Sequence, residues 1–225
     1  MKRALLALVF AGCAAGPRPV PSSATPAERL AAAETALLNA KGYTSTFDIE
    51  STGENAATMT GTLELLDGNA LRISSDGAYK NEAVHVELDS RESDSPHRAS
   101  SRGPNVSSHR DPPAPKLREA VALGLVRMGL LHNLVTLAMD RPLDKSEGGF
   151  DGWVKAVDVK AGSSVNASEV PCTNVDFGIQ VSGQRMGEGT LCIADATGLP
   201  VLRTGVVHFP AGDMTVTEKF TWKLP

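Results

Sequence analysis

The chain has 225 residues, of which 41% are hydrophobic, 21% charged and 4% aromatic, and its formal net charge is −4. Such a composition suits one globular domain with a core of its own. The acidic balance argues against nucleic acid as a partner and against electrostatic adhesion to anionic lipid, both of which call for basic patches.

A positive pair, Lys2 and Arg3, opens the chain and an apolar run from Ala4 to Gly12 follows. That length suits a signal peptide and falls well short of a membrane span. The residues Phe10-Ala11-Gly12-Cys13 resemble the bacterial lipobox, in which small residues allow cleavage before a diacylglyceryl-modified cysteine. The resemblance implies a lipoprotein signal peptide over residues 1–12 and lipidation at Cys13. Because Ala14 follows, not an aspartate, it also implies an anchor in the outer membrane facing the periplasm. An ordinary secretory leader cut near Ala15 fits the same run. Residues 13–25, rich in proline, serine and alanine, read as a flexible stalk. With Cys13 assigned to lipid, Cys172 and Cys192 remain as a pair, and an exported protein would oxidise them to a disulfide.

Thr25-Pro26-Ala27-Glu28 is a capping box with proline at the first helical position, so a helix should start there. Leu30, Ala33, Leu37 and Leu38 give it an apolar face, and Gly42 is placed to end it. From Tyr43 the period changes from helical to alternating. Phe47 and Ile49, then Met59 to Leu65, Leu71 and Ile73, and Val84 to Leu88 share faces, which predicts an antiparallel meander punctuated at Asp67-Gly68 and Asp76-Gly77. From Ser90 to Pro115 the pattern vanishes. Too little of that polar insert is apolar for it to order itself, and it is predicted to be a long disordered loop or lid.

Leu117 to Met139 is helical by composition and apolar on most of its circumference. Arg127, His132 and Asn133 would be costly in hydrocarbon, so the segment reads as a buried or half-buried helix, with Gly124 and Gly129 as break points, rather than a membrane span. Strands follow at Trp153–Val159, Cys172–Val181, Glu188–Asp195, Leu199–Phe209 and Met214–Leu224. If Pro210 to Asp213 form the last turn, Phe209 opposes Met214, Val207 opposes Val216, Gly205 opposes Glu218, Arg203 opposes Phe220 and Val201 opposes Trp222. In that register Arg203 and Glu218 are diagonal neighbours on an otherwise apolar face. They form either a plain ion pair against the helix or the polar anchor of a greasy concavity, with Arg203 meeting a ligand phosphate or carboxylate and Glu218 steadying it. The candidate ligand-binding set is Arg203, Glu218, Val207, Val216, Phe220 and Trp222.

The run from Gly189 to Pro225 carries a strand ending in Asp195, a turn at Thr197-Gly198-Leu199-Pro200 and a closing hairpin. It resembles the C-terminal half of the LolA/LolB-like lipoprotein-carrier superfamily. The resemblance implies an α+β fold over residues 26–225 in which a strongly curved antiparallel sheet, half of a β-barrel, wraps around one or two helices. Its apolar interior would hold acyl chains.

No catalytic motif is visible. The histidines His85, His97, His109, His132 and His208 lack metal-ligand spacing, the His109-Arg110-Asp111 string lacks the context of a kinase loop, and the glycine-rich stretch from Ser146 leads into a strand, not a helix. The expectation is therefore a protein of the cell envelope that is not an enzyme and holds neither cofactor nor metal. It is anchored in the membrane through Cys13 and binds a lipid, acyl chain or other apolar ligand. The alternative is a structural or assembly lipoprotein whose interior is filled by its own helix.

Overall fold

The computed structural model describes residues 18–92, 95–143, 153–162 and 170–225. The capping box forms as the sequence predicts. Thr25 N–H donates to Glu28 Oε2 at 2.8 Å, and helix α1 runs over Pro26–Leu38 with Leu30, Ala33 and Leu37 buried. It ends at Asn39, before Gly42, and that glycine instead turns the chain into the first strand.

Among the described residues eleven strands form one antiparallel sheet. The first meander comprises β1 (Tyr43–Ser51), β2 (Ala57–Leu65), β3 (Leu71–Tyr79), β4 (Glu82–Asp89), β5 (His97–Arg102) and β6 (Asn105–Arg110). The second comprises β7 (Val154–Ala161), β8 (Cys172–Val181), β9 (Gln184–Ala194), β10 (Pro200–Phe209) and β11 (Gly212–Lys223). Pairing of β1 with β11 joins them, giving the order β6-β5-β4-β3-β2-β1-β11-β10-β9-β8-β7. Among the described residues three short α-helices lie against it: α1, α2 (Leu117–Leu123) and α3 (Leu130–Ala138). The sheet is open and does not close into a barrel, and strands dominate the molecule. This corrects the expected α+β half-barrel wrapped around one or two helices. The residues of 90–115 supply two more strands, and the central apolar segment breaks between Gly124 and Gly129, where the sequence places its break points.

The inner face is lined by the alternating residues that the sequence singles out. Phe47, Ile49, Met59, Leu63, Leu65, Leu71, Ile73, Val84, Val86 and Leu88 are all buried. One turn falls elsewhere than predicted. Asp76 and Gly77 lie within β3, and the chain reverses at Lys80-Asn81, both at positive φ (51° and 63°), the backbone that a two-residue hairpin turn requires.

Residues 97–110, predicted to be disordered, form the hairpin β5–β6 at the edge of the sheet. What orders it is polar. The ladder to β4 satisfies its backbone, and the buried Arg98 guanidinium pairs with Asp111 at 2.8 Å and Asp140 at 2.9 Å. A count of aliphatic residues cannot detect such support.

Part of the predicted stalk is docked. Val20 is buried and its N–H donates to the Asp195 carbonyl at 3.0 Å, while Arg29 reaches back to the carbonyls of Pro21 and Ser22. Asp195 also pairs with Arg29 at 3.3 Å and accepts from Thr173. At the other end of α1, buried Arg118 donates to the carbonyls of Leu37, Ala40, Leu66 and Ala70, so one side chain satisfies the helix terminus and the β2–β3 turn together. Burial pulls that guanidinium down to about 10, which leaves it charged at neutral pH.

Candidate ligand cavity

The segment between α2 and α3 fixes the site. Gly124–Met128 forms a π-helical turn, and at Gly129 the backbone swings to φ 107°, a conformation suited to glycine, before α3 begins. Such a break leaves carbonyls at one helix end and N–H groups at the next without helical partners. Arg203 and Glu218 answer both. Arg203 Nη2 donates to the Arg127 carbonyl at 2.9 Å, and Leu131 N–H donates to Glu218 Oε1 at 2.8 Å. The cation thus sits at a helix C-terminus and the anion at an N-terminus, as the helix dipoles favour.

The pair is wholly buried, with Arg203 Nη1 and Glu218 Oε2 3.7 Å apart. Burial lowers the pKa of Arg203 and raises that of Glu218, each partly offset by the other's charge. Gly129 covers the pair so closely that a Cβ there would lie 2.9 Å from Arg203 Nη1 and 3.1 Å from Glu218 Oε1. Nε and Nη1 of Arg203 and Oε2 of Glu218 make no hydrogen bond among the described residues.

Above this pair lies a cavity of about 390 Å³. Its walls are Met128, Leu131 and Val135 from the helical side, Ile179, Val181 and Met186 from β8 and β9, and Val207, Phe209, Met214 and Val216 from β10 and β11. Tyr79 and Asn55, tied by a 3.0 Å hydrogen bond, also line it, as does the buried Glu218. Three methionines among aliphatic walls make a surface that can reshape around an occupant. A mostly apolar hollow with few polar groups is the form of a small-molecule site.

Of the candidate residues, Val207, Val216 and Glu218 reach the cavity and the other three do not. Arg203 is turned beneath Gly129 to the Arg127 carbonyl and meets no cavity space. Phe220 packs in the core opposite Phe47, and Trp222 donates its indole N–H to the Pro200 carbonyl. The hairpin register explains the difference. The turn is Pro210-Ala211, not four residues, so Phe209 opposes Gly212, Val207 opposes Met214 and Arg203 opposes Glu218 directly. A two-residue slip leaves every side chain on its predicted face but moves it along the strand.

Cys172 and Cys192 form a disulfide between β8 and β9, with Cα atoms 5.5 Å apart. They are diagonal in the ladder, since Cys172 pairs with Ala194 and Asn174 with Cys192. Cys13 and the glycine-rich stretch from Ser146 lie outside the described residues. Among the described residues there is no cluster of metal-ligating side chains, and no helix is long and apolar enough to cross a membrane.

No protein-family model matches the chain, and no curated protein matches it. Among solved structures, a crystal structure of MucB is similar, at 15% identity and a TM-score of 0.39 over 91% of this chain and 60% of that one. The chain therefore spans about 60% of the length of the structure it matches. The likeness is distant and concerns the fold alone.

Proposed function

We propose that this protein binds an apolar chain, such as the acyl tail of a lipid, between α3 and the β8–β11 half of the sheet, and does so as a non-catalytic lipoprotein of the bacterial cell envelope. The observation that carries the reading is the 390 Å³ cavity with its aliphatic and methionine walls. A structural protein plugged by its own helices would have no use for that space. The broken segment 117–138 covers part of one face of the sheet, yet its α3 leans toward β4 and β5 and leaves space beside β8–β11. The address rests on the lipobox-like Phe10-Ala11-Gly12-Cys13, and the disulfide accords with an oxidising compartment.

The test is titration of the full chain with the neutral apolar fluorophore N-phenyl-naphthylamine, beside the variant Val207→Trp, which places an indole in the cavity. Saturable fluorescence enhancement in the wild type, abolished in a folded variant, supports the reading. Equal enhancement in both refutes it. For the address, Cys13→Ser should release the protein from membranes and abolish labelling by a palmitate analogue.

A further inference from the structure

The apolar cavity shares two walls, Met128 and His132, with a second hollow of about 430 Å³ on the other side of α3. The second is different in kind. Besides Leu123, Leu143 and Trp153 it presents His132, Asn133, Thr136 and Arg141. Asn133 is more than nine-tenths buried and serves the helices rather than the hollow, with Nδ2 donating to the Ala120 carbonyl at 3.4 Å and Oδ1 packed against Gly124. Arg141 follows α3, is exposed, and its guanidinium has no partner among the described residues.

We infer that the two hollows are the two ends of one site, and that its occupant is a single-chain amphiphile with an anionic head: tail between α3 and β8–β11, head beside Arg141. The inference rests on the proposed function and names the ligand class for it. Buried apolar walls and a separate cluster of polar groups are what such a molecule requires, because its two parts cannot be satisfied by one surface. Arg203 cannot serve the head, since the Arg127 carbonyl and Glu218 hold it beneath Gly129. Arg141 is then the cation that the site offers to an anion, and a guanidinium is well shaped to grip carboxylate or phosphate.

The divider suits this use. Met128 has an unbranched side chain with three rotatable bonds, which lets it yield to a chain passing beside it. His132 rests on Trp153, with ring centroids 5.5 Å apart. The hollows on either side leave His132 accessible surface, yet the surrounding protein pulls its pKa below the ordinary value, so the passage is uncharged at neutral pH.

The experiment displaces bound N-phenyl-naphthylamine from the full chain with lauric acid and with lauryl alcohol, which share a tail and differ in the head. Lauric acid should compete about three- to tenfold better at low salt, the preference should shrink with added salt, and Arg141→Gln should erase it while leaving the alcohol unchanged. Equal competition by acid and alcohol in the wild type, or a uniform loss for both in Arg141→Gln, overturns the head site while the apolar cavity stands. Absence of any saturable binding of the fluorophore overturns the cavity and the head site together. Met128→Trp, which walls off the passage, provides a second reading: loss of the acid's advantage with the alcohol still bound supports one continuous site, and an unchanged advantage contradicts it.

Discussion

Arg203 and Glu218 stand directly opposite one another on β10 and β11, fully buried, with their nearest charged atoms 3.7 Å apart. Each also completes a helix end, Arg203 at the Arg127 carbonyl and Glu218 at the Leu131 N–H. The pair is thus a pin that holds a broken helix to the sheet. Removing one member strands the other charge in a low-dielectric interior, so Arg203→Met or Glu218→Leu alone should destabilise by about 3–5 kcal/mol. The double variant should recover much of that loss, because no lone charge remains. Urea unfolding of the three variants measures it. Single-variant losses within the 0–1 kcal/mol of an exposed bridge would mean that the pair is solvated.

Gly129 is the other half of the pin. Its φ of 107° disfavours any side chain, and a Cβ would crowd both Arg203 Nη1 and Glu218 Oε1. Gly129→Ala should therefore destabilise by about 1–3 kcal/mol, the range for a residue held in a sparsely populated conformation. Hydrogen exchange should show the opening concentrated in 124–138. A neutral effect would mean that the break tolerates an ordinary backbone.

The faces of the strands are legible in the sequence because side-chain alternation has a period of two, and even a two-residue error in the β10–β11 register preserves them. Hence Arg203 and Glu218 are recognisable as inward-facing, while their direct opposition and the loss of Phe220 and Trp222 from the site are not. Turn length decides that, and Pro210-Ala211-Gly212-Asp213 permits either length. The β5–β6 hairpin is illegible for another reason. It is held by Arg98 with Asp111 and Asp140, partners that only the fold brings together. The cavity walls Met128, Ile179 and Met186 come from the helical segment and the distant β8–β9 hairpin, and no local pattern distinguishes them from ordinary core residues. Glycines at 124 and 129 do mark the helix break, whereas the capping of that break by two strand residues leaves no trace in the sequence.

His208 bridges two carboxylates, with Nδ1 2.8 Å from Asp213 and Nε2 2.9 Å from Glu188. The Asp213 bond, then the Glu188 bond, raises the His208 pKa above 6.5, and the same contact helps hold Glu188 below 4.5. A raised histidine contributes stability that is complete below pH 6.5 and fades as pH rises through its folded value. A lowered carboxylate contributes stability that is complete above pH 4.5 and fades as pH falls through its folded value. The cluster should therefore stabilise most between pH 4.5 and 6.5. Arg185 also pairs with Glu188 and Asp158. The melting temperature of His208→Asn, subtracted from that of the wild type across pH, should give a hump in this window, small and damped by salt because the cluster is exposed. A difference that grows toward alkaline pH would contradict the assignment.

The disulfide closes a loop with a sequence separation of 20 between Cys172 and Cys192. In the chain-entropy view, a loop of that size stabilises by about 3 kcal/mol. Cys192 is buried and Cys172 half-buried, so reductant has access on the Cys172 side of the bond. Reduction should lower the urea midpoint and, because the reduced chain unfolds to a less constrained state, steepen the transition. Harmless reduction would show that the β8–β9 hairpin does not depend on the bond.

Native mass spectrometry of the full-length protein, purified from a membrane-containing host and released gently from detergent, tests most directly whether the cavity holds an apolar chain. The spectrum should show, beyond any covalent anchor, a non-covalent adduct that organic extraction removes and that Val207→Trp reduces or abolishes. A spectrum with the bare protein mass alone, from a sample that also fails to take up lauric acid, would contradict the assignment of this hollow as a ligand site.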